Sequence, residues 1–360
     1  MKTQFQPRFA CIIQSVALVA TATVFATPVT RAADLSVCAQ GCEFKTIQAA
    51  VDAAHHGDVI RIGPGTYLEN VKVAKVLTLS GAGRDKTRVD GQFLGPVITL
   101  EGPPNATGDA PVAITNMTIT HGRGVGIGGG VEVTGVARLD MHSCIVVSNR
   151  SDGAANAAGG GVNIESLTGL PNKIDDTVLV YNHSQSSGGA IAVSFESFAT
   201  ISNSTISRND TTGAGGGIFL LEKSGATIKN TSMTENHAAL GGGAIGVARG
   251  SRFEPSGVVA IDASVIADNS SSRDGGGLLG PALTVSNTVI ARNKAAGNGG
   301  GWLAEGLPPK VTNVFVIQNT AGQDGGGVFT STSLTLTGTT IAQNHPDDCE
   351  VVPPAGSGCP

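Results

Sequence analysis

The chain has 360 residues, of which 51 are glycine, 40% are hydrophobic and 14% are charged, with a formal charge of −5. Average proteins carry about 7% glycine and about 25% charged residues, so a fold with many tight turns is implied, and the hydrophobic content excludes a disordered chain. The acidic balance leaves no electrostatic footprint for nucleic acid, and a polyanionic sugar would need one basic groove or a calcium site as counter-charge.

Residues 1–33 read as an export signal. Lys2 and Arg8 precede the uncharged, mostly apolar run from Ala10 to Phe25, and Ala26, Ala32 or Ala33 suits cleavage. The run is short beside the roughly 20 apolar residues of a membrane-spanning helix. Loss of Lys2, Arg8 and Arg31, with no acid among residues 1–33, takes the charge from −5 to −8. The expectation is a secreted, extracellular or cell-surface monomer with no transmembrane segment in the mature chain. Export permits disulfides. Cys38 with Cys42 and Cys349 with Cys359 are the simplest of the pairings that sequence leaves open, one staple at each end. Cys144 is left over as a small buried filler.

Residues 34–115 supply an N-terminal cap and the first coils. Ile47, Ala50, Val51 and Ala54 lie at i, i+3, i+4 and i+7, one apolar face of a short helix with Thr46 as N-cap. Short β-rich pieces follow at Val59–Ile62, Val71–Val73, Leu77–Leu79 and Val97–Leu100.

Residues 116–346 hold about nine copies of Asn-x-x-aliphatic-x-x-Asn, followed in most by a glycine pair or triplet. The aliphatic column is Ile119, Val146, Leu179, Ile206, Met233, Ile266, Ile290, Val316 and Ile341, at spacings of 24 to 33 residues. Three residues on, after Gly122, the column is Asn149, Asn182, Asn209, Asn236, Asn269, Asn293, Asn319 and Asn344. Such a period suits a right-handed parallel β-helix, an all-β solenoid in which each strand pairs with its counterparts one coil away. The aliphatic file faces inward and the asparagines form a side-chain ladder at turns, where asparagine also tolerates left-handed backbone. A propeller blade needs a longer repeat, and the calcium-binding glycine-rich roll needs a nonapeptide that is missing. Residues 347–360 form a disulfide-stapled tail that closes the last coil.

Two resemblances arise. Phe44–Ala54, Gly57–Ile62 and Pro64-Gly65-Thr66-Tyr67 are similar to the opening of pectin-esterase and other pectin-lyase-like β-helix proteins. This implies the cap and first coils more than an activity. The repeats resemble those of polymorphic outer membrane proteins, in Gly188-Gly189-Ala190-Ile191 and Gly242-Gly243-Ala244-Ile245, with an aliphatic residue where that family has Phe. The translocating barrel usual in that family would need many strands of about 10 residues; only the short tail follows residue 346, so membrane insertion is not implied.

Pectin-esterase chemistry would require an Asp pair with Arg and Gln partners, and no matching motif is found. The best acid cluster stacks Arg208, Glu235, Asp268 and Arg292 in the column before the turn asparagine, either a polar groove or a self-neutralising surface ladder, the second being favoured. His183 and His237 are too few for a metal site, His345 being distant, and turn hydrogen bonding accounts for Asp175-Asp176. Phe219 and Trp302, after glycine triplets, are candidates for a partial aromatic strip. The reading is a recognition or adhesion scaffold, leaning non-catalytic, for a glycan or a host or cell-surface ligand. A polysaccharide lyase, hydrolase or esterase is the alternative. No cofactor is expected, calcium entering only with the lyase.

Overall fold

The computed structural model describes Met1 and residues 32–103, 108–153, 158–221, 223–248, 259–281 and 283–352. The export signal assigned to residues 1–33 falls almost wholly outside them. Residues 32–352 form a right-handed parallel β-helix of four sheets. Sheet I has 12 strands, from Asp34–Val37 to Thr335–Thr337, and sheet II has 11, from Gly65–Leu68 to Thr340–Ala342. Sheet III has eight short strands, from Arg123–Val125 to Thr320–Ala321, and sheet IV has 11, from Val71–Val73 to Cys349–Val351. One coil visits them in that order: Phe198–Ser202, Thr205–Ser207, Asp210–Thr211 and Ile218–Leu220.

Helix α1, Ile47–Ala53, lies over the first coils and buries Ile47, Ala50 and Val51. Thr46 caps it by accepting from the Ala49 N–H, and both Glu69 carboxylate oxygens accept from Ile47 and Gln48. A carboxylate there complements the positive end of the helix dipole.

The register places the aliphatic column in one inward file of sheet II, from Ile119 through Val146, Leu179, Ile206 and Met233 to Ile341. All but the last of the nine are buried. Above them runs the asparagine file. From Asn182 onward each Oδ1 takes the backbone N–H and an Nδ2 hydrogen of the asparagine in the preceding coil, as between Asn209 and Asn236 at 3.1 and 3.0 Å, while Asn149 Oδ1 takes the Gly122 N–H. The left-handed residue at this corner is the one before the asparagine, from His121 to Gln343, and not the ladder asparagine itself. That residue points outward, which turns the asparagine in. The corner between sheets I and II does use left-handed Asn203, Asn230, Asn287 and Asn313.

A second ladder follows that corner: Cys144, Thr177, Ser204, Thr231, Ser264 and Thr288. Each hydroxyl donates to the carbonyl two residues before it, and the Cys144 thiol does the same toward His142. Burial pushes that thiol up to about 12, so it is an inert member of a hydroxyl file.

The glycine triplets exist because coils touch backbone to backbone. A Cβ on Gly216 would lie 2.4 Å from both the Gly243 and His237 carbonyl oxygens. These loops also cover the outer face of sheet IV, so Glu132, Asn163, Ala192 and Phe219 are buried although they point away from the core. Cys38 and Cys42 are joined by a disulfide. Cys349 is disulfide-bonded too, while Cys359 lies outside the described residues.

Candidate functional site

The acid cluster sits on the corner between sheets II and III, where left-handed backbone throws each side chain outward: Tyr181, Arg208, Glu235, Asp268 and Arg292. Arg208 forks onto Glu235, with Nε–Oε2 at 2.9 Å and Nη2–Oε1 at 3.2 Å, while its Nη1 donates to the Tyr181 hydroxyl. Arg292 grips Asp268 through Nε and Nη2, both at 2.8 Å. The Arg208 hydrogen bonds hold Glu235 below the usual carboxylate range, the wrong direction for a proton donor near neutral pH. These are two exposed ion pairs, each closed on itself. A double-mutant cycle on Asp268 and Arg292, both about half exposed, is expected to give a coupling below about 1 kcal/mol, fading with salt. A coupling of several kcal/mol that persisted in high salt would contradict it.

Phe219 and Trp302 do not share a strip. Trp302 aligns with Leu278 and Val328 in the inward file and is 1% exposed, whereas Phe219 belongs with Leu303 and Phe329 in the outward file. A one-residue offset reverses the face of a strand. Because both faces of sheet IV are covered, its strands read as unbroken apolar runs and give no alternation to fix which residue faces where.

His183 Nδ1 lies 2.7 Å from Asp210 Oδ2, and that hydrogen bond raises the imidazole pKa. His237 meets Ser270. Among the described residues no three His, Cys, Asp or Glu side chains are grouped to hold a metal. Asp175 accepts from Ser202 at 2.6 Å and Asn203 at 2.7 Å and meets His142 at 3.0 Å. Asp262 repeats the arrangement with Ser286 and Asn287, which marks it as a feature of the sheet I corner. The Ser202 hydroxyl donates to the aspartate and not to the imidazole, and that hydrogen bond holds the Asp175 carboxyl below its usual range, which leaves it a weak base for activating the hydroxyl.

Sheet I carries a cleft of about 300 Å³ lined by Gly169, Pro171, Phe198, Ala199, Thr200, Gly225, Ala226 and Thr227. Phe198 and Thr200 are half-buried, and Pro171 and Thr227 are exposed. The loops leading into it carry exposed Leu167, Leu170 and Phe195. No lining residue is ionisable. Lys173, in register with Thr200, and Asp140, in register with Lys173, continue the same outward file below the cleft. No single repeat announces this cleft in the sequence, because its walls come from three coils.

Glu132 is the other residue that sequence reasoning missed. It is 2% exposed, accepts from the Gly128 N–H and from Asn163 Nδ2, and burial pushes its carboxyl up to about 7. The available signal was a lone acid between two valines just after a glycine triplet.

Stacked parallel coils, an internal asparagine ladder and a capped first coil define a parallel β-helix. Residues 129–358 match the family described as right handed beta helix region, and the chain belongs to that family. The comparison with curated proteins gives no match. Among solved structures, rice weevil pectin methyl esterase is 15% identical, with 68% of this chain and 80% of that chain covered and a TM-score of 0.37. Carrot pectin methylesterase is 15% identical, with 88% of each chain covered and a TM-score of 0.35. The A-module of an Azotobacter vinelandii mannuronan C-5 epimerase is 15% identical, with 86% and 94% covered and a TM-score of 0.37. Likeness at this level says nothing of activity.

Proposed function

We propose that the protein is an exported β-helix rod that recognises glycans without turning them over, and that the sheet I cleft is where a sugar ring rests. One observation carries the reading: the cleft combines the Phe198 ring and Pro171 with the Thr200 and Thr227 hydroxyls, and no lining residue is ionisable. An apolar platform beside hydroxyl groups matches a pyranose, whose ring faces present C–H groups and whose rim carries hydroxyls. Proton transfer would need an acid or base within hydrogen-bond reach of the ring, and the lining supplies none.

The test is binding of purified protein to a panel of neutral oligosaccharides, followed by calorimetry on the best ligand. Phe198→Ala is expected to weaken binding by at least tenfold, and Thr200→Val by several-fold, with unchanged unfolding midpoints. Reducing ends, unsaturated products and released methanol or acetate are followed in the same mixtures. Turnover of any substrate, lost in Lys173→Ala or Asp140→Ala, would replace recognition with a polysaccharide-active enzyme. Binding indifferent to Phe198→Ala would remove the cleft from the account.

A further inference from the structure

Arg123–Val125 is the edge strand of sheet III. The turn Gly91–Pro96 lies against it, with Arg123 donating its backbone N–H to Gly95. Asn70 pins that turn, its Nδ2 donating to the carbonyls of Gly91, Gly95 and Pro96 at 3.4, 3.1 and 2.8 Å. Gln92 and Phe93 are consecutively left-handed, at φ 52° and 57°, which is costly for residues bearing a Cβ. The turn presents Phe93 and Leu94 to solvent, 39% and 79% exposed. The Phe93 ring centroid lies 5.1 Å from the Arg150 guanidinium carbon and 5.0 Å from the His121 ring.

Arg150 and Arg123 are register partners on adjacent strands, and they share one carboxylate. Arg123 Nε takes Asp152 Oδ2 at 2.6 Å, whereas Arg150 Nε stands 3.5 Å from the same oxygen, buried and without a hydrogen-bond partner. Among the described residues, no terminal guanidinium nitrogen of either arginine donates a hydrogen bond. Three arginines elsewhere on the exposed files each have an acid of their own: Arg208 with Glu235, Arg292 with Asp268, Arg138 with Asp109. Of the other charged groups nearby, Asp90 is engaged by His121 and Arg88, and Asp210 by His183. The result is a guanidinium pair with one charge in excess, held against an aromatic platform on an otherwise acidic chain.

We infer that Arg123, Arg150 and Phe93 form a second glycan subsite, selective for a sugar carrying an oxyanion, a carboxylate or a sulfate. The planar guanidinium fork takes such a group bidentately, and stacking on Phe93 fixes the Arg150 plane before the ligand arrives. The C–H face of the sugar rests on Phe93 and Leu94. The subsite lies on a different wall from the sheet I cleft, so it stands or falls apart from that reading.

Calorimetry at low ionic strength compares hyaluronan, dextran sulfate and unsubstituted dextran. At least one polyanion is expected to bind, at least tenfold more tightly than dextran. Hyaluronan alone would assign a carboxylate site, dextran sulfate alone a sulfate site, and both together the shared oxyanion chemistry. Arg150→Gln and Arg123→Gln should each weaken that binding at least tenfold, and Arg150→Lys, which keeps the charge but not the fork, several-fold. Phe93→Ala should also weaken it, while Lys229→Gln on sheet I leaves it unchanged. Failure of both polyanions to bind, or undiminished binding by correctly folded Arg150→Gln protein, would overturn the subsite.

Discussion

Asn236→Ala should lower the unfolding free energy by roughly 3–5 kcal/mol, because it leaves several buried groups without partners at about 1–3 kcal/mol each. The Asn236 Oδ1 accepts from the Asn209 backbone N–H and from Asn209 Nδ2, and its own Nδ2 donates to the Ile206 carbonyl and to Asn269 Oδ1. Alanine keeps the backbone N–H bond to Asn269 but removes the rest. The Asn209 N–H then faces a void at a position where asparagine is 0% exposed. Water cannot reach it cheaply, since the neighbouring coils close above and below.

The end of the ladder supplies the comparison. Asn344 is only half-buried, and its Nδ2 also reaches Asp348. Solvent can replace part of what Asn344→Ala removes, so that variant should lose about 1–2 kcal/mol. Urea unfolding of the two variants beside the parent chain checks both numbers. A loss below about 1 kcal/mol for Asn236→Ala would mean that the ladder organises the corner without stabilising it.

Sequence periodicity exposes the architecture here because stacking places equivalent residues in vertical files. A file inside the coil tolerates only aliphatic side chains, and a corner file that must satisfy the backbone N–H one coil away tolerates little but asparagine. Both constraints act once per coil, so Ile206 and Asn209 repeat visibly. The exposed file beside them varies from Tyr181 to Arg208 to Glu235, since outward left-handed positions ask only that the residue not be β-branched. For the same reason its charges carry little information about function. What was illegible lies where files are interrupted. The sheet I cleft depends on loops of unequal length around Gly169 and Phe198. The Arg123–Arg150 pair depends on the turn at Gln92 and Phe93, which precedes the regular repeats. The sequence does not separate inward Trp302 from outward Phe219, because a strand covered on both faces gives no alternation from which to read its phase.

Glu132→Gln tests the same layering through pH. The Glu132 carboxyl is raised from 4.5 to about 7, chiefly by burial beneath the glycine loop, with the Gly128 and Asn163 hydrogen bonds only partly offsetting it. A raised carboxyl binds more protons in the folded chain than in the unfolded one between those two values, so stability falls as pH rises through that window. At 1.36 kcal/mol per unit, the ionised carboxylate costs about 3 kcal/mol at pH 8 relative to pH 4. Glutamine removes the titration but not without loss. Its oxygen, placed where Oε2 stands, can still accept from Gly128 and from Asn163 Nδ2, but its amide nitrogen takes the Oε1 position and faces the same Nδ2, donor against donor. That mismatch costs about 1 kcal/mol at every pH. The variant should therefore be slightly less stable than the parent at pH 4 and about 2 kcal/mol more stable at pH 8. The difference between the two conditions is the quantity to measure, because the hydrogen-bond loss and most other titrations cancel from it. Parallel pH profiles for the two proteins would show that Glu132 is hydrated in solution and that the glycine loop does not seal the outer face of sheet IV.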